Sequence, residues 1–208
     1  MFTLDQGTFL VKHARLAIES HLSKGAGPEP VWEYRGPQPQ SGVFVTLLNA
    51  SNAMALRGCV GAPFLHRPLL AQLSQVAVEA ATMDPRFSRV SLTEMKNRLV
   101  VEVTVLTRPE VVEVRRPLDY LESVRVGIDG LIVEAMGFKS LLLPQVAIDE
   151  KFDSEEFLSE CCLKAGLLPD TWLSGQVQVS RFQGQVFLEE KPGGRVFQRS
   201  LKTQLQSE

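Results

Sequence analysis

Two rhythms of apolar residues run along the chain, and each predicts its own kind of element. Leu69, Leu70, Leu73, Val76, Ala77, Ala80 and Ala81 recur at helical spacing, which predicts a buried helix. Pro68 suits its first position, and Pro85 in "MDPRF" ends it. A first helix is expected over 4–23, with Leu10, Ala14, Ala17, Ile18, His21 and Leu22 on one side. Thr3 and Gln6 form its capping box, Gly25 suits its end, and Gly7 weakens its start. Ser91–Glu94 and Asp153–Glu156 read as two more capping boxes. The former starts a short helix to about Arg98. The latter starts a helix with Phe157, Leu158, Cys161, Cys162 and Ala165 inward and a stop at Gly166.

The second rhythm has period two. "VFVTLL" (43–48) and "AMALRGCV" (53–60) flank Asn49-Ala50-Ser51-Asn52 and read as an antiparallel hairpin. "LVVEVTVLT" (99–107) is a β-branched strand closed by Pro109. The stretch from Ser123 to Pro144 holds two or three short strands, with turns at Asp129-Gly130 and Met136-Gly137. "QVQVSRFQGQVFLEE" (176–190) alternates as a strand, whereas 191–208 reads as a turn and a thinly apolar tail that frays. Residues 25–42 are too rich in Gly and Pro for regular structure. Helices sit between hairpins instead of alternating strictly with strands. The expectation is an α+β fold with a largely antiparallel sheet, flanking helices and no linker that splits the chain.

Within the second strand of the hairpin, Met54, Leu56, Gly58 and Val60 share the face expected toward the core. Ala55, Arg57, Cys59 and Gly61 share the other, with the Arg57 and Cys59 Cα atoms about 7 Å apart. Gly58 and Gly61 permit close approach by a ligand or another backbone. A guanidinium beside Cys59 would favour the nucleophilic thiolate. A free cysteine is more often a small buried hydrophobe.

Composition narrows the classes. A hydrophobic content of 44% and a charged content of 22% are those of a soluble globular domain. The net charge of -2 disfavours nucleic acid and anionic membranes as partners. No apolar run is long enough to span a bilayer, and the charged N-terminus lacks a signal-peptide core. Three cysteines, two of them adjacent, form no disulfide framework, so a cytoplasmic protein is expected. Their spacing also fits no zinc or iron–sulfur site, and no phosphate loop or dinucleotide fingerprint occurs, so no metal or cofactor is identified. His13 and His21 fall at the edge of a helix stripe, and His66 is a weak candidate base for Cys59.

"LRGCVG" (56–61) resembles the signature of the AMMECR domain family, which is named for a human chromosomal region linked to Alport syndrome and elliptocytosis. "FVTL", "AVEAATMDPRFSRVSLTEMKNRLVVEVTVLTRP", "VGIDGLIVE", "LLLPQVA", "FDSEEFLSECCLKAGL" and Trp172 follow the family's order, from about residue 5 to 190. The resemblance implies a two-lobed domain over 1–190, with a larger and a smaller lobe, a cleft lined by the signature, and a tail over 191–208. It implies no reaction. It associates microbial relatives with Memo-type proteins and radical S-adenosylmethionine enzymes. It also raises Asp84, Arg86 and Phe87, together with Gln145 and Thr46, to candidate ligand contacts beside Arg57, Gly58 and Gly61. Arg57 and Arg86 together could grip a carboxylate or phosphate. Ala62-Pro63 and Phe152 depart from the family's usual residues. The expected function is binding of a small anionic or polar ligand in the cleft, with Cys59 as the candidate catalytic residue. The alternative is a non-catalytic adaptor for a Memo-type or radical S-adenosylmethionine protein.

Overall fold

The computed structural model describes residues 1–25, 27–29, 31–35, 41–64 and 67–199. These fall into two compact units, Met1–Leu106 with Gln185–Arg199, and Thr107–Gly184. The first unit begins with α1 (Leu4–Leu22), β1 (Val43–Asn49), β2 (Ala55–Ala62), α2 (Leu69–Thr82), α3 (Leu92–Arg98) and β3 (Leu99–Leu106). The second holds β4 (Glu110–Val111), α4 (Tyr120–Ser123), β5 (Gly130–Ala135), β6 (Phe138–Leu142), α5 (Pro144–Asp149), α6 (Ser154–Lys164) and β7 (Gln178–Phe182). The chain then returns through β8 (Gly184–Glu189) and β9 (Val196–Arg199). The fold is α+β, as expected, but the pairing is divided between two sheets, ordered β2-β1-β3-β8-β9 and β4-β7-β5-β6. No helix among the described residues is long and apolar enough to cross a membrane.

In the first unit every second residue of β1, Val43, Val45 and Leu47, is fully buried in one cluster with α1, α2 and β3. All seven apolar positions predicted for α2 lie in that core. Gly7, which weakens α1 in isolation, has a packing role: a Cβ there would sit 2.1 Å from the Phe187 ring. Arg15 ties α1 to the sheet. Its Nη2 meets Glu189 Oε2 at 2.5 Å and the Leu99 carbonyl at 2.7 Å, while Val101 N–H donates to the same carboxylate. Such a pair is stabilising because its remaining donors and acceptors are satisfied.

The second unit packs α6 on β5 and β6, with Phe157, Leu158, Cys161, Cys162 and Trp172 in one cluster. The Asp153–Glu156 capping box forms at the start of α6, and Gly166 takes a φ of 78° just after its end.

Four expectations need correction. The alternating run 176–190 is two strands in different sheets, because Gln183 leaves the ladder to bond the backbone N–H and the hydroxyl of Thr107. The tail expected to fray supplies β9, which pairs with β8 in register Leu188↔Phe197. The turn expected at Asp129-Gly130 falls earlier, at Gly127 with φ 78°, and Gly130 enters β5 beneath the Phe182 ring. The left-handed residue after α1 is Lys24, not Gly25.

Candidate functional site

The signature occupies β2, which among the described residues is an edge strand paired with β1 alone. Its register slips between Leu47 and Leu48, so Gly58 faces Leu47 while Leu56 faces Leu48, and Arg57 is the extra residue of a bulge. Gly58 lies against the last turn of α2, where a Cβ would meet the Ala80 carbonyl oxygen at 2.1 Å. A Cβ on Gly61 would strike the Phe44 ring at 2.0 Å. Both glycines therefore serve close packing within the unit. Met54 and Leu56, expected to face the core, are 37% and 41% exposed. Gly58 already reaches the last turn of α2 at Ala80, so Met54 and Leu56 lie before the part of the strand that packs there.

Asp84, just beyond α2, reaches back across 25 residues of sequence to accept the Cys59 N–H at 2.8 Å. The same carboxylate takes the Arg86 N–H at 3.1 Å, its Nε at 3.0 Å and its Nη2 at 2.7 Å. Arg86 Nη2 also meets the Cys59 carbonyl at 3.5 Å. Asp84 and Arg86 together thus cap the outward N–H and C=O of Cys59, which an edge strand otherwise leaves open. The Arg86 bond, helped by the Cys59 and Arg86 amides, holds the Asp84 carboxyl well below the usual carboxylate range despite burial.

Arg57 does not turn its guanidinium to the thiol. Its Nε and Nη2 grip the Glu94 carboxylate at 2.7 and 3.2 Å, and Nη1 donates to the Ser88 carbonyl at 2.9 Å. This diverts Glu94 from its expected task. Ser91 does accept the Glu94 N–H, but the Glu94 side chain is engaged with Arg57, so only half of the expected capping box forms. Phe87 stands between the two arginines, with guanidinium carbons 5.9 Å (Arg57) and 5.5 Å (Arg86) from its ring centroid.

The Cys59 sulfur receives a hydrogen bond from Thr46 Oγ1 at 3.4 Å. Burial pushes this thiol up, with Asp84 and Glu102 adding to the rise, while the Thr46 bond and Arg86 oppose it. The expected activation by Arg57 is replaced by a weaker opposing influence from Arg86, and the net direction favours the protonated thiol. Cys161 and Cys162 are fully buried, and burial pushes Cys161 up to about 11.

The first unit therefore gathers Thr46, Arg57, Gly58, Cys59, Gly61, Asp84, Arg86 and Phe87. Gln145 belongs to the second unit, on α5, where its Oε1 is buried without a hydrogen-bond partner among the described residues. His66 lies outside the described residues. The sequence reading missed Glu102 on β3, directly beside Thr46 in register, paired with Arg199 at 3.0 Å. The available signal was a lone carboxylate inside the apolar run "LVVEVTVL". Among the described residues no group of three or more His, Cys, Asp or Glu side chains could hold a metal ion.

Comparison with known proteins agrees with the signature. The AMMECR1 family model matches residues 11–187. A Methanocaldococcus jannaschii protein is 44% identical over 203 residues, covering 97% of this chain and 98% of its own. A Pyrococcus furiosus protein is 46% identical over 211 residues, covering 97% of each. The crystal structure of an uncharacterised protein from Pyrococcus horikoshii superposes with a TM-score of 0.78 at 45% identity, covering 93% of this chain and 96% of that one. These matches show that the chain belongs to the AMMECR1 family.

Proposed function

We propose that the protein binds a small polar molecule at the signature strand, with Arg86 as its principal anchor and Cys59 present as a thiol. The observation that carries this reading is the state of Arg86. Its Nε and Nη2 edge is fixed by the buried Asp84 carboxylate, while Nη1 makes no hydrogen bond among the described residues and the side chain is 55% exposed. A guanidinium held along one edge offers its other edge to an acceptor with little further loss of side-chain freedom. Phe87 beside it supplies an apolar surface.

Charge limits the ligand. Arg57, Arg86 and Arg199 are matched by Glu94, Asp84 and Glu102, so the three named pairs carry no net charge. That balance suits a neutral polar, zwitterionic or singly anionic molecule better than a polyphosphate. The raised thiol argues against Cys59 as a resting nucleophile.

Native mass spectrometry of the purified protein, with identification of whatever denaturation releases, tests the reading. Loss of one charged hydrogen bond, about 1.5–3 kcal/mol, predicts that Arg86→Gln retains the molecule about tenfold or more weakly. Equal retention would overturn it. If nothing co-purifies, glycine, acetate and phosphate serve as probes, and no saturable binding of any of them has the same consequence.

A second reading, an adaptor for a Memo-type or radical S-adenosylmethionine protein, draws on exposed Met54 and Leu56 at β2 and Met83 after α2. A stable heteromeric complex that survives Arg86→Gln would favour it over ligand binding.

A further inference from the structure

Every residue of β3 is buried, yet its fourth residue is a carboxylate, Glu102. Its neighbours Val101 and Val103 join the core on one side of the sheet, so Glu102 takes the opposite face. An apolar side chain would be better tolerated there on stability alone. Among the described residues Glu102 has a single ion-pair partner. Arg199 Nη1 meets Oε2 at 3.0 Å, and the arginine itself is 40% exposed on β9. Oε1 has no hydrogen bond among the described residues, and the side chain as a whole is 11% exposed. A buried strand thus presents one carboxylate oxygen without a hydrogen bond among the described residues.

The register says where that oxygen lies. Cys59 stands opposite Thr46, and Thr46 stands opposite Glu102, so the three form one row across β2, β1 and β3 on a common face. Two strand spacings separate the ends of the row, about 10 Å between the Cα atoms of Cys59 and Glu102. Thr46 forms the floor between them, its hydroxyl turned to the sulfur. Arg86, bonded to the Cys59 backbone, supplies donors beyond the β2 end, and Glu102 supplies an acceptor at the β3 end.

We propose that Glu102 is the cation-accepting end of the signature site, which takes a small molecule with an ammonium or similar strong donor at one end and a hydrogen-bond-accepting head at the other. A zwitterion of amino-acid type is the simplest such molecule. The Arg86 end of this assignment rests on the ligand-binding reading above, whereas the placement of Glu102 on the Cys59 face does not. Burial pushes the Glu102 carboxyl up and Arg199 pulls it back, so the group meets a cation as a partly compensated carboxylate.

The experiment uses Cys59 as a reporter and needs no bound ligand. The folded full-length protein is labelled at neutral pH and low salt with a cationic and an anionic methanethiosulfonate reagent, and the Cys59 peptide is quantified by mass spectrometry. The ratio of cationic to anionic rates is then compared with that of Glu102→Gln, which keeps size and an acceptor for Arg199. The ratio is expected to fall by about threefold or more, the effect of one charge near 10 Å at an intermediate dielectric. Arg199→Gln leaves Glu102 uncompensated and is expected to raise it, which keeps the proposal testable should Glu102→Gln fail to fold. An unchanged ratio in the folded variants, or a Cys59 that neither reagent reaches, would overturn the proposal. Loss of ligand from Arg86→Gln without a labelling shift in Glu102→Gln would sink this assignment and leave the ligand reading standing.

Discussion

Asp84 in the first unit and Asp129 in the second are held in the same way and do different work. Each is a buried aspartate, with side chains 3% and 0% exposed, gripped by a half-exposed arginine nearby in sequence, Arg86 at 55% and Arg125 at 52%. Each also accepts backbone N–H bonds. Asp129 accepts one, from the nearby Arg125 N–H at 3.2 Å, and adds the Gln183 side-chain amide at 3.0 Å. That closes a turn and fixes the residue at which 176–190 leaves its ladder. Asp84 accepts one from its own loop and one from Cys59 on a distant strand edge. The same chemistry closes a turn in one unit and ties a loop to a strand edge in the other. What separates them is that Asp84 also takes a backbone N–H from a distant strand, whereas the one backbone N–H on Asp129 comes from its own turn.

The largest effect is expected from breaking the local clamp. Asp129→Ala removes the carboxylate that holds the half-exposed Arg125 guanidinium and the Gln183 amide, and losing these charged hydrogen bonds costs about 3 kcal/mol. Hydrogen exchange of amides in Thr107–Gly184 reads the loss. Exchange no faster than in the parent would remove Asp129 as the organiser of that turn.

Asp84→Asn is expected to be milder, about 2 kcal/mol, because the amide still accepts one N–H while the charged bonds weaken. Its distinguishing mark lies at Cys59, whose amide should exchange faster once its carboxylate partner is gone. pH sharpens the contrast. Both carboxyls are lowered in the folded chain, so the stability they contribute is full above the unfolded aspartate value, near 3.8, and is lost as pH falls through their lower folded values. Each Asn variant should therefore flatten part of the acid limb below about pH 4 in a stability profile. An unaltered limb would mean that neither clamp is linked to folding.

How much of this could be read from the chain depended on range. Thr3–Gln6 and Asp153–Glu156 were legible because a capping box is complete within four residues. Ser91–Glu94 carries the same letters, but Glu94 bonds Arg57 instead, and no local pattern reports a competitor 37 positions away. Asp129-Gly130 reads as a turn from composition, yet the left-handed residue is Gly127, and Gly130 is there for the Phe182 ring. Alternation continues through Gln183 even though the strands on either side join different sheets, because a period of two says nothing about the partner strand. The signature residues were found by resemblance, and spacing alone aimed Arg57 at the thiol. The bulge at that residue, which strict alternation does not anticipate, accompanies its turn toward Glu94.

The smallest expected effect concerns a second feature that the units share, a hairpin turned by two left-handed residues. In the second unit these are Met136 and Gly137, with φ of 52° and 82°, joining β5 to β6. In the first they are Ala53 and Met54, with φ of 44° and 60°, closed by the Ala55 N–H on the Asn52 carbonyl at 2.8 Å. The matching handedness follows from strand twist, which favours a primed turn in both hairpins. Only the second unit meets it with glycine. A side chain in this region costs about 1–2 kcal/mol, and glycine gives back part of that through the freedom it adds to the unfolded chain. Met54→Gly should therefore stabilise the first unit by about 0.5–1 kcal/mol, and Gly137→Ala should destabilise the second by about 1 kcal/mol. Chemical denaturation of the two variants beside the parent measures both signs. If Met54→Gly destabilises instead, Met54 contributes contacts that outweigh its backbone strain. The turn leading into the signature strand would then be held by its side chain, while its counterpart in the second unit is held by its backbone alone.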